Sequence, residues 1–262
     1  MDWLQIAVLS LIQGITEFLP ISSSAHLVLP SLLTDWPDQG LAFDVGVHFG
    51  SLLAVIFYFR EELMRMAFGS IDAVTRQQYN PDLDMVLKLA VATLPVVVVG
   101  LLAKDFIEAQ LRTLLVIACT TIGFGLLLWW SDRRPGTRDI IQWRDALIIG
   151  GAQVLALVPG TSRSGITITA ALLVGISRVP AAHFSFLLSI PTILGAQLLL
   201  TLELVELGVD RWGELIAGGI IAGLSAYACI HLFIQLVERT GMLPYVIYRL
   251  GLGAVLLWFV FG

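Results

Sequence analysis

The stretch "QGITEFLPISSSAH", residues 13–26, places a carboxylate, three consecutive serines and a histidine inside a strongly apolar chain. Hydrophobic residues make up 57% of the 262 residues and charged residues only 13%, roughly half the charged share of a typical soluble domain. An ionisable residue within a membrane segment is costly and is by default a sign of function. The stretch therefore indicates a polar site inside a membrane protein.

Several apolar runs approach the roughly 20 residues that an α-helix needs to cross a bilayer. A transmembrane β-barrel would instead show short segments of alternating polarity. The sequence thus predicts an all-α polytopic membrane protein with a single membrane domain, residues 1–262. The six predicted spanning helices cover residues 42–59, 85–103, 113–130, 180–202, 213–237 and 243–261. Within the fifth, Gly219 and Gly223 form a GxxxG pair, which favours close helix packing.

Two further apolar stretches are interrupted by proline and small polar residues. Residues 4–19 lead into a proline and the serine run, and the helical stretch that follows, 24–33, is only about 15 Å long. Residues 144–158 lead into "PGTSRSG", and the next stretch, 166–176, is about 17 Å long. Neither second part can cross a hydrocarbon core of about 30 Å. The pattern predicts two re-entrant helix hairpins, which are tolerated where protein buries them or where they line a wet cavity.

The two breaks resemble each other in sequence. The segment "PISS" at 20–23 aligns with "PGTS" at 159–162, and a glutamine, Gln13 or Gln153, precedes each proline. Downstream, "HFGSLL" at 48–53 matches "HFSFLL" at 183–188. This internal similarity predicts two homologous halves, residues 1–131 and 132–262.

The distribution of basic residues predicts how the halves are oriented. Residues 60–88 and residues 131–144 carry four Lys or Arg each, whereas the connection 104–112 carries two. The positive-inside rule places the two richer segments in the cytoplasm and both termini outside. The first hairpin then opens from outside and the second from the cytoplasm. This arrangement is an inverted-topology repeat, whose sites form near the bilayer midplane where broken helices meet.

The polar residues of the two hairpins suit the binding of a phosphorylated, membrane-embedded substrate. Gln13 and Glu17 share one helix face. Arg163 lies where glycines, hydroxyls and the first amides of a helix converge, an arrangement that favours phosphate. If the hairpins meet, Glu17, His26 and Arg163 surround one point, and phosphoryl transfer there would use a divalent metal held by carboxylate oxygen. A plain ion pair between Glu17 and Arg163 is the structural alternative, and it is compatible with function.

Both hairpin stretches resemble the signature motifs of the undecaprenyl-pyrophosphate phosphatase family, also called the bacitracin-resistance protein family. The resemblance runs the length of the chain and includes "FDVGVHFGSLLAV" at 43–55 and "FSFLLSIPTILGA" at 184–196. It implies hydrolysis of undecaprenyl diphosphate to undecaprenyl phosphate and inorganic phosphate, which recycles the lipid carrier of peptidoglycan synthesis and confers bacitracin resistance. It also implies a multi-pass enzyme of the bacterial plasma (inner) membrane that needs Mg²⁺ or Ca²⁺, with its site opening to the outer, periplasmic side.

The resemblance assigns roles to individual residues. Glu17 would bind the metal or act as a base, Ser23 would be the nucleophile or a phosphate ligand, His26 would be catalytic, and Arg163 would hold the diphosphate. Further side chains expected to bind substrate are Gln13, Ser22, Ser24, Ser162, Ser164 and Thr167. Gln13 takes the neutral option at a Glu/Gln position of the family, so Glu17 must carry more of the metal-binding role.

Several alternatives stay open. The attacking group could be Ser23 with His26 as its base, His26 itself, or a metal-activated water. A transporter or lipid flippase is the competing function, since it would need Arg163 and the helix N-termini but no nucleophile and base. The expected partners are the polyprenyl diphosphate and membrane lipids, with a homodimer as an open possibility. Nucleic acid is not expected, because the net charge is −5 and no basic stripe is present.

The sequence contains three histidines besides His26. His48, His183 and His231 are interpreted as structural, and His48 is the one among them that could also line the cavity.

Overall fold

The computed structural model describes residues 1–33, 36, 39–133, 136–207 and 212–262, with the backbone only at 28, 31–33, 105, 108, 203 and 205–207. The described residues form eleven α-helices and no β-strand. These are α1 Trp3–Phe18, α2 Ser23–Leu33, α3 Gly40–Tyr58, α4 Arg60–Thr75, α5 Pro81–Phe106, α6 Leu114–Asp132, α7 Trp143–Gln153, α8 Arg163–Leu173, α9 Arg178–Leu207, α10 Trp212–Thr240 and α11 Leu243–Phe261. A π-helical turn, Ile107–Leu111, follows α5, and a 3₁₀ turn, Val154–Leu157, follows α7.

Within the described ranges, six helices are long and apolar enough to cross a membrane, which confirms the predicted polytopic fold. They are α3, α5, α6, α9, α10 and α11, and each lies within a few residues of its predicted position. Two of them begin at a polar N-cap. Asn80 accepts a hydrogen bond from the Leu83 amide ahead of α5, and Thr113 accepts one from the Val116 amide ahead of α6. Such caps satisfy amide groups that the first helical turn leaves unpaired.

The two broken segments form helix–break–helix units, α1–α2 and α7–α8. The first break begins at Leu19, which is extended with ψ of 147°, because the proline ring at position 20 disfavours helical backbone in the residue before it. The second break follows the 3₁₀ turn, and α8 begins at Arg163, three residues earlier than the sequence predicted. The depth at which these units enter the membrane stays a prediction.

The two halves contact each other through equivalent pairs of helices. Helix α3 of the first half packs on α10 of the second, and the equivalent helix α9 of the second half packs on α5 of the first. In the same way, α1 packs on α10, and its equivalent α7 packs on α5. The equivalent helices α3 and α9 contact each other, as do α6 and α11. This pattern supports two structurally equivalent halves, whereas their exact limits, 1–131 and 132–262, stay a prediction.

Glycines allow the closest of these contacts. A Cβ atom placed on Gly50 of α3 would lie 1.9 Å from the carbonyl oxygen of Gly219 in α10. One placed on Gly223 would lie 3.0 Å from the carbonyl oxygen of Gly50. The predicted packing role of the GxxxG pair is therefore confirmed, and its partner is the glycine of "HFGSLL".

Helix α4 was not predicted, because its segment lacks a continuous apolar run. It carries Met64, Phe68 and Ile71, all exposed, at the spacing of one helical face. Its opposite side is tied to the protein by Glu62, whose carboxylate accepts a hydrogen bond from His183 at 2.7 Å. This bond holds the pKa of Glu62 below its usual value. His183 thus has the structural role expected of it.

Candidate active site

The carboxylate of Glu17 is where the two broken segments meet. Glu17 lies at the end of α1, and its Oε1 atom accepts a hydrogen bond from Arg163 Nη2 of α8 at 3.2 Å. Its Oε2 atom accepts from Gln13 Nε2 at 2.9 Å and from Ser23 Oγ of α2 at 3.0 Å. The Glu17 and Arg163 side chains are only 9% and 12% exposed. Helices α1 and α2 of the first broken segment and α8 of the second therefore converge on one buried carboxylate.

A histidine from α3 completes this group. His48 Nε2 lies 3.8 Å from Glu17 Oε2, and the His48 side chain is 30% exposed. Its other ring nitrogen, Nδ1, lies 2.8 Å from the main-chain oxygen of Asp44, one turn earlier. His48 thus lines the site in addition to packing on its own helix, and sequence reasoning had assigned it mainly a structural role.

The two breaks share an unusual backbone feature. Ser22 and Ser162 have φ angles of 74° and 72°, a left-handed conformation that is strained for a residue with a Cβ and is concentrated at functional sites. Each serine hydroxyl contacts the serine two residues later: Ser22 with Ser24 at 3.1 Å, and Ser162 with Ser164 at 3.2 Å. The same local geometry is therefore built twice.

This geometry corrects the sequence alignment of the breaks by one residue. The two prolines were aligned, which paired Ser22 with Thr161, whereas the structure pairs Ser22 with Ser162. Ser23 then corresponds to Arg163, and Gln13 and Gln153 stand at equal distances before the strained serines. The two side chains that contact Glu17 from α2 and α8 thus occupy equivalent positions in the two halves.

Arg163 is held in place by more than its ion pair. Its Nη1 atom donates to the main-chain oxygen of Ser185 in α9 at 3.2 Å, and its guanidinium lies 5.8 Å from the Phe18 ring centroid. Phe18 packs edge-to-face on Phe186 of α9 at 5.5 Å. The guanidinium is therefore fixed by α1 and α9 before any ligand binds.

The other hydroxyls of the second hairpin are buried and form hydrogen bonds with neighbouring protein groups. Ser162 Oγ accepts from the Gly165 amide, and Ser164 Oγ donates to the Leu19 carbonyl of the first break at 2.9 Å. Thr167 Oγ1 lies 2.7 Å from Ser185 Oγ. In the first hairpin, Ser22 is buried whereas Ser24 is exposed. These side chains lie in or next to the two breaks, and their substrate-binding roles stay a prediction.

Both breaks leave helix amides without partners. Among the described residues, the amides of Ser23 and Ser24 in α2 and of Arg163 and Ser164 in α8 have no hydrogen-bond acceptor. Unpaired amides at a helix N-terminus, together with the helix dipole, favour an anion. Two such N-termini flank the Glu17–Arg163 pair.

His26 has a different environment from the one expected of a base for Ser23. Its Nδ1 lies 2.7 Å from the main-chain oxygen of Ser22, and its Nε2 lies 2.7 Å from the hydroxyl of Tyr248 in α11. The two rings are stacked, with centroids 5.4 Å apart. Both ring nitrogens are thus engaged away from Ser23, whose hydroxyl is bonded to Glu17 instead.

Arg249 is a residue that the sequence interpretation missed. It is completely buried in α11, and its guanidinium donates only to main-chain oxygens. Those oxygens belong to Pro20 of the first break, Gly160 and Thr161 of the second, and Thr120 and Thr121 of α6. Among the described residues it forms no ion pair. The signal was available, because a basic residue inside the apolar run 243–261 calls for the same explanation as Glu17.

The donor set at Glu17 fits a hard divalent cation. Gln13 Oε1 is buried and has no hydrogen-bond partner in the described structure, although its amide nitrogen contacts Glu17. Mg²⁺ and Ca²⁺ prefer oxygen ligands, and Mg²⁺ is commonly held by one or two carboxylates together with substrate phosphates. No group of three or more His, Cys, Asp or Glu residues suited to a metal occurs in the described part of the chain. The Glu17 carboxylate and the Gln13 amide oxygen are thus the available metal ligands.

Six spanning helices around a buried polar cluster define a multi-pass membrane protein with an internal polar site. The family of the Bacitracin resistance protein BacA matches residues 6–255 of the chain. The chain belongs to this family, which confirms the resemblance inferred from the two hairpin motifs.

Three curated relatives match almost the whole chain. The undecaprenyl-diphosphatase of Alcanivorax borkumensis is 57% identical over 99% of this chain and 100% of its own length. Undecaprenyl-diphosphatase 2 of Stutzerimonas stutzeri is 55% identical, and the undecaprenyl-diphosphatase of Hahella chejuensis is 54% identical, each over 98% of both chains.

Proposed function

We propose that the chain is an undecaprenyl-diphosphatase, which hydrolyses undecaprenyl diphosphate to undecaprenyl phosphate and inorganic phosphate. Family membership and the names of three relatives at 54–57% identity support this activity. The observation that carries it is the Glu17 carboxylate, which contacts a hydroxyl from one broken segment and a guanidinium from the other. The Ser23 hydroxyl as nucleophile and the Arg163 guanidinium as anion ligand thus both contact the Glu17 carboxylate, which is the proton acceptor.

The diphosphate is held by groups that are already in place. Arg163 grips the terminal phosphate, and the unpaired amides of α2 and α8 donate to its oxygens. Arg249 contributes a positive charge next to both breaks, because its guanidinium donates to main-chain oxygens in each of them. Because these donors are fixed by the fold, they stabilise the charge that develops in the transition state without reorganising.

The reaction proceeds by attack on the terminal phosphorus. In the path that the geometry favours, Ser23 Oγ forms the new bond to phosphorus while Glu17 accepts the hydroxyl proton across their 3.0 Å contact. The bond from phosphorus to the bridging oxygen breaks, and undecaprenyl phosphate leaves. Water then cleaves the phosphoserine and releases inorganic phosphate, regenerating the serine. If water attacks directly instead, Glu17 takes the proton from that water and the products are the same.

Gln13 and Glu17 are the residues that would hold the divalent metal. When bound, Mg²⁺ or Ca²⁺ neutralises charge on the phosphate oxygens. Glu17 would hold the metal in addition to its contact with Ser23, and the contact of Arg163 with the Ser185 main-chain oxygen does not depend on Glu17.

The site is proposed to open to the periplasmic side of the bacterial inner membrane. Support comes from the distribution of Lys and Arg, which places residues 60–88 and 131–144 in the cytoplasm. In that orientation the enzyme would act on lipid diphosphate whose head group reaches the site from the outer face of the membrane.

The proposed activity is tested by phosphate release from a short-chain polyprenyl diphosphate with detergent-purified protein, with and without EDTA. Metal-dependent release by the wild type, and its loss in Glu17→Ala and Ser23→Ala, is the expected result. Ser131→Ala is the matched control, since Ser131 is buried in α6 and bonds only the Leu128 carbonyl. Full activity in Glu17→Ala would contradict the mechanism.

A transporter of lipid phosphate is the second candidate, and the exchange of equivalent helices between the halves favours it. Inverted repeats with broken helices are a common transporter architecture. If folded wild-type protein binds the lipid diphosphate but releases no phosphate, the transporter is the better assignment.

A further inference from the structure

The main-chain carbonyl of Ser22 is held by a side chain. His26 Nδ1 lies 2.7 Å from this oxygen, and both residues are buried. Because a carbonyl oxygen only accepts hydrogen bonds, Nδ1 carries the hydrogen and His26 is the donor. In the second break, the carbonyl of Ser162 accepts from the main-chain amide of Ile166 at 2.9 Å. Each break therefore holds the carbonyl of its strained serine through the residue four positions later in the chain.

Tyr248 fixes the tautomer of the His26 ring. In the neutral ring with its hydrogen on Nδ1, the Nε2 atom is an acceptor. It lies 2.7 Å from the Tyr248 hydroxyl, which donates to it. The other tautomer would direct a lone pair of Nδ1 at the Ser22 carbonyl oxygen. A chain of two hydrogen bonds thus runs from Tyr248 in α11, through His26, to the backbone of the first break.

The direction of this carbonyl determines the direction of the Ser23 amide. The peptide bond between Ser22 and Ser23 is trans, and the C=O and N–H groups of a planar trans peptide point in opposite directions. The carbonyl points to His26, which lines a cavity together with Ile15 of α1. At 3.6 residues per turn, Glu17 lies on the opposite face of α1 from Ile15. The Ser23 N–H group therefore points away from the cavity, to the side where Ser23 Oγ contacts Glu17.

We propose that His26 and Tyr248 are positioning residues, which hold the Ser22–Ser23 peptide so that the Ser23 amide donates to the terminal phosphate. The proposal rests on the proposed function, because it assigns a role in the hydrolysis of that same diphosphate. The φ of 74° at Ser22 is strained. A rotation of this peptide that relieved the strain would direct the carbonyl oxygen, instead of the N–H group, at the anion. The bond from His26 opposes that rotation, and Tyr248 keeps His26 in the tautomer that forms it.

The contacts of His26 favour this role over that of a base or a nucleophile. Both of its ring nitrogens are engaged, and neither contacts Ser23. The Ser23 hydroxyl donates to Glu17 at 3.0 Å, so its proton already has an acceptor. His26 would have to break both of its hydrogen bonds to take part in proton transfer, whereas positioning requires the contacts it has.

His26→Asn separates the two roles. The amide nitrogen of asparagine, like Nδ1 of histidine, is two bonds from Cβ, so it can donate to the Ser22 carbonyl, but it is neither a base nor a nucleophile. For hydrolysis of farnesyl diphosphate, His26→Ala should lower kcat/KM about 100-fold, the loss typical of one oxyanion donor. His26→Asn should stay within about tenfold of wild type. Equal loss in both variants, or full activity in His26→Ala, would overturn the proposal, whereas an inactive wild type would overturn the proposed function.

Tyr248→Phe tests the second bond of the chain. Phenylalanine keeps a ring that stacks on His26 and removes only the hydroxyl, so kcat/KM should fall about fivefold, as for one neutral hydrogen bond. Tyr245→Phe is the matched control, since Tyr245 lines the same cavity from the same helix and its hydroxyl has no hydrogen bond with the described residues. It should leave kcat/KM unchanged. In the His26→Asn background, Tyr248→Phe should have no further effect, and an additional fivefold loss there would show that Tyr248 does not act through His26.

A binding measurement does not depend on turnover. The methylenebisphosphonate analogue of farnesyl diphosphate cannot be hydrolysed, and its dissociation constant is measured by calorimetry in detergent. It should rise about tenfold in His26→Ala, as for the loss of a hydrogen bond to a charged group, and stay near the wild-type value in His26→Asn. Unchanged affinity in a folded His26→Ala variant would overturn the proposal. If His26→Ala does not fold, His26→Asn decides: a folded variant that neither binds nor hydrolyses would overturn it.

Discussion

Arg249 joins the two broken segments through their backbones. Its guanidinium donates to Pro20 in the first break and to Gly160 and Thr161 in the second, and it has no carboxylate partner in the described structure. Because an arginine presents five N–H donors in a rigid planar fork, one side chain fixes peptide groups on both sides of the site. It is a positioning residue that also supplies positive charge.

Replacing Arg249 by lysine should impair turnover. Lysine offers three donors on a flexible stem, so at least two of the five carbonyl contacts would be lost, each worth about 1.5–3 kcal/mol for a charged donor. We expect kcat to fall by at least about tenfold, since a loss of roughly 1.4 kcal/mol of transition-state stabilisation suffices for that. The measurement is kcat and KM for phosphate release, together with the melting temperature in detergent.

Arg178→Lys provides the comparison for Arg249→Lys. Arg178 contacts Asp132 through Nε at 2.6 Å, at the ends of α6 and α9. Its replacement should lower the melting temperature and leave kcat near wild type. If Arg249→Lys behaves in the same way, Arg249 supports folding alone.

The contact between α3 and α10 relies on backbone approach at glycine. A Cβ on Gly50 would overlap the Gly219 carbonyl, and α3 also carries His48 into the site. Protein interiors are close-packed, so the added methyl group must push the helices apart. The position of His48 relative to Glu17 therefore depends on a glycine two residues away.

Gly50→Ala should destabilise the protein by about 1–3 kcal/mol, the usual cost of overpacking. Gly123→Ala and Gly251→Ala are matched controls, since both glycines lie within spanning helices and an added Cβ would meet no atom within 4 Å. These two should be neutral or slightly stabilising, because alanine favours helix over glycine. Thermal unfolding in detergent measures all three, and a stable Gly50→Ala variant would show that the helices separate without penalty.

The orientation of the whole molecule can be tested by cysteine labelling. Gln78 lies between α4 and α5 and Gln110 between α5 and α6, and both are exposed. The protein has two native cysteines, Cys119 and Cys229, which are replaced by alanine first. A membrane-impermeant maleimide applied to intact cells should label Gln110→Cys but not Gln78→Cys, which should react after permeabilisation. The opposite result would place the site on the cytoplasmic side.

Much of this architecture can be predicted from the local sequence. Six apolar runs predict the spanning helices, and proline and small residues mark both breaks, because helix length and interruption depend on neighbouring residues alone. The pairing of Glu17 with Arg163 could also be anticipated, since charges inside a membrane protein must find partners. Amphipathic α4 escaped notice, because it alternates exposed apolar side chains with charges and has no continuous apolar run.

Tertiary structure decided which polar groups meet. The one-residue shift between the breaks appears only in the backbone angles of Ser22 and Ser162. His26 turns to Tyr248 and away from Ser23, and Arg249 reaches both breaks from the far end of the chain. These contacts depend on how each helix is rotated about its axis and which face it presents to its neighbours. That rotation is set by packing between residues more than 200 positions apart, which no local pattern records.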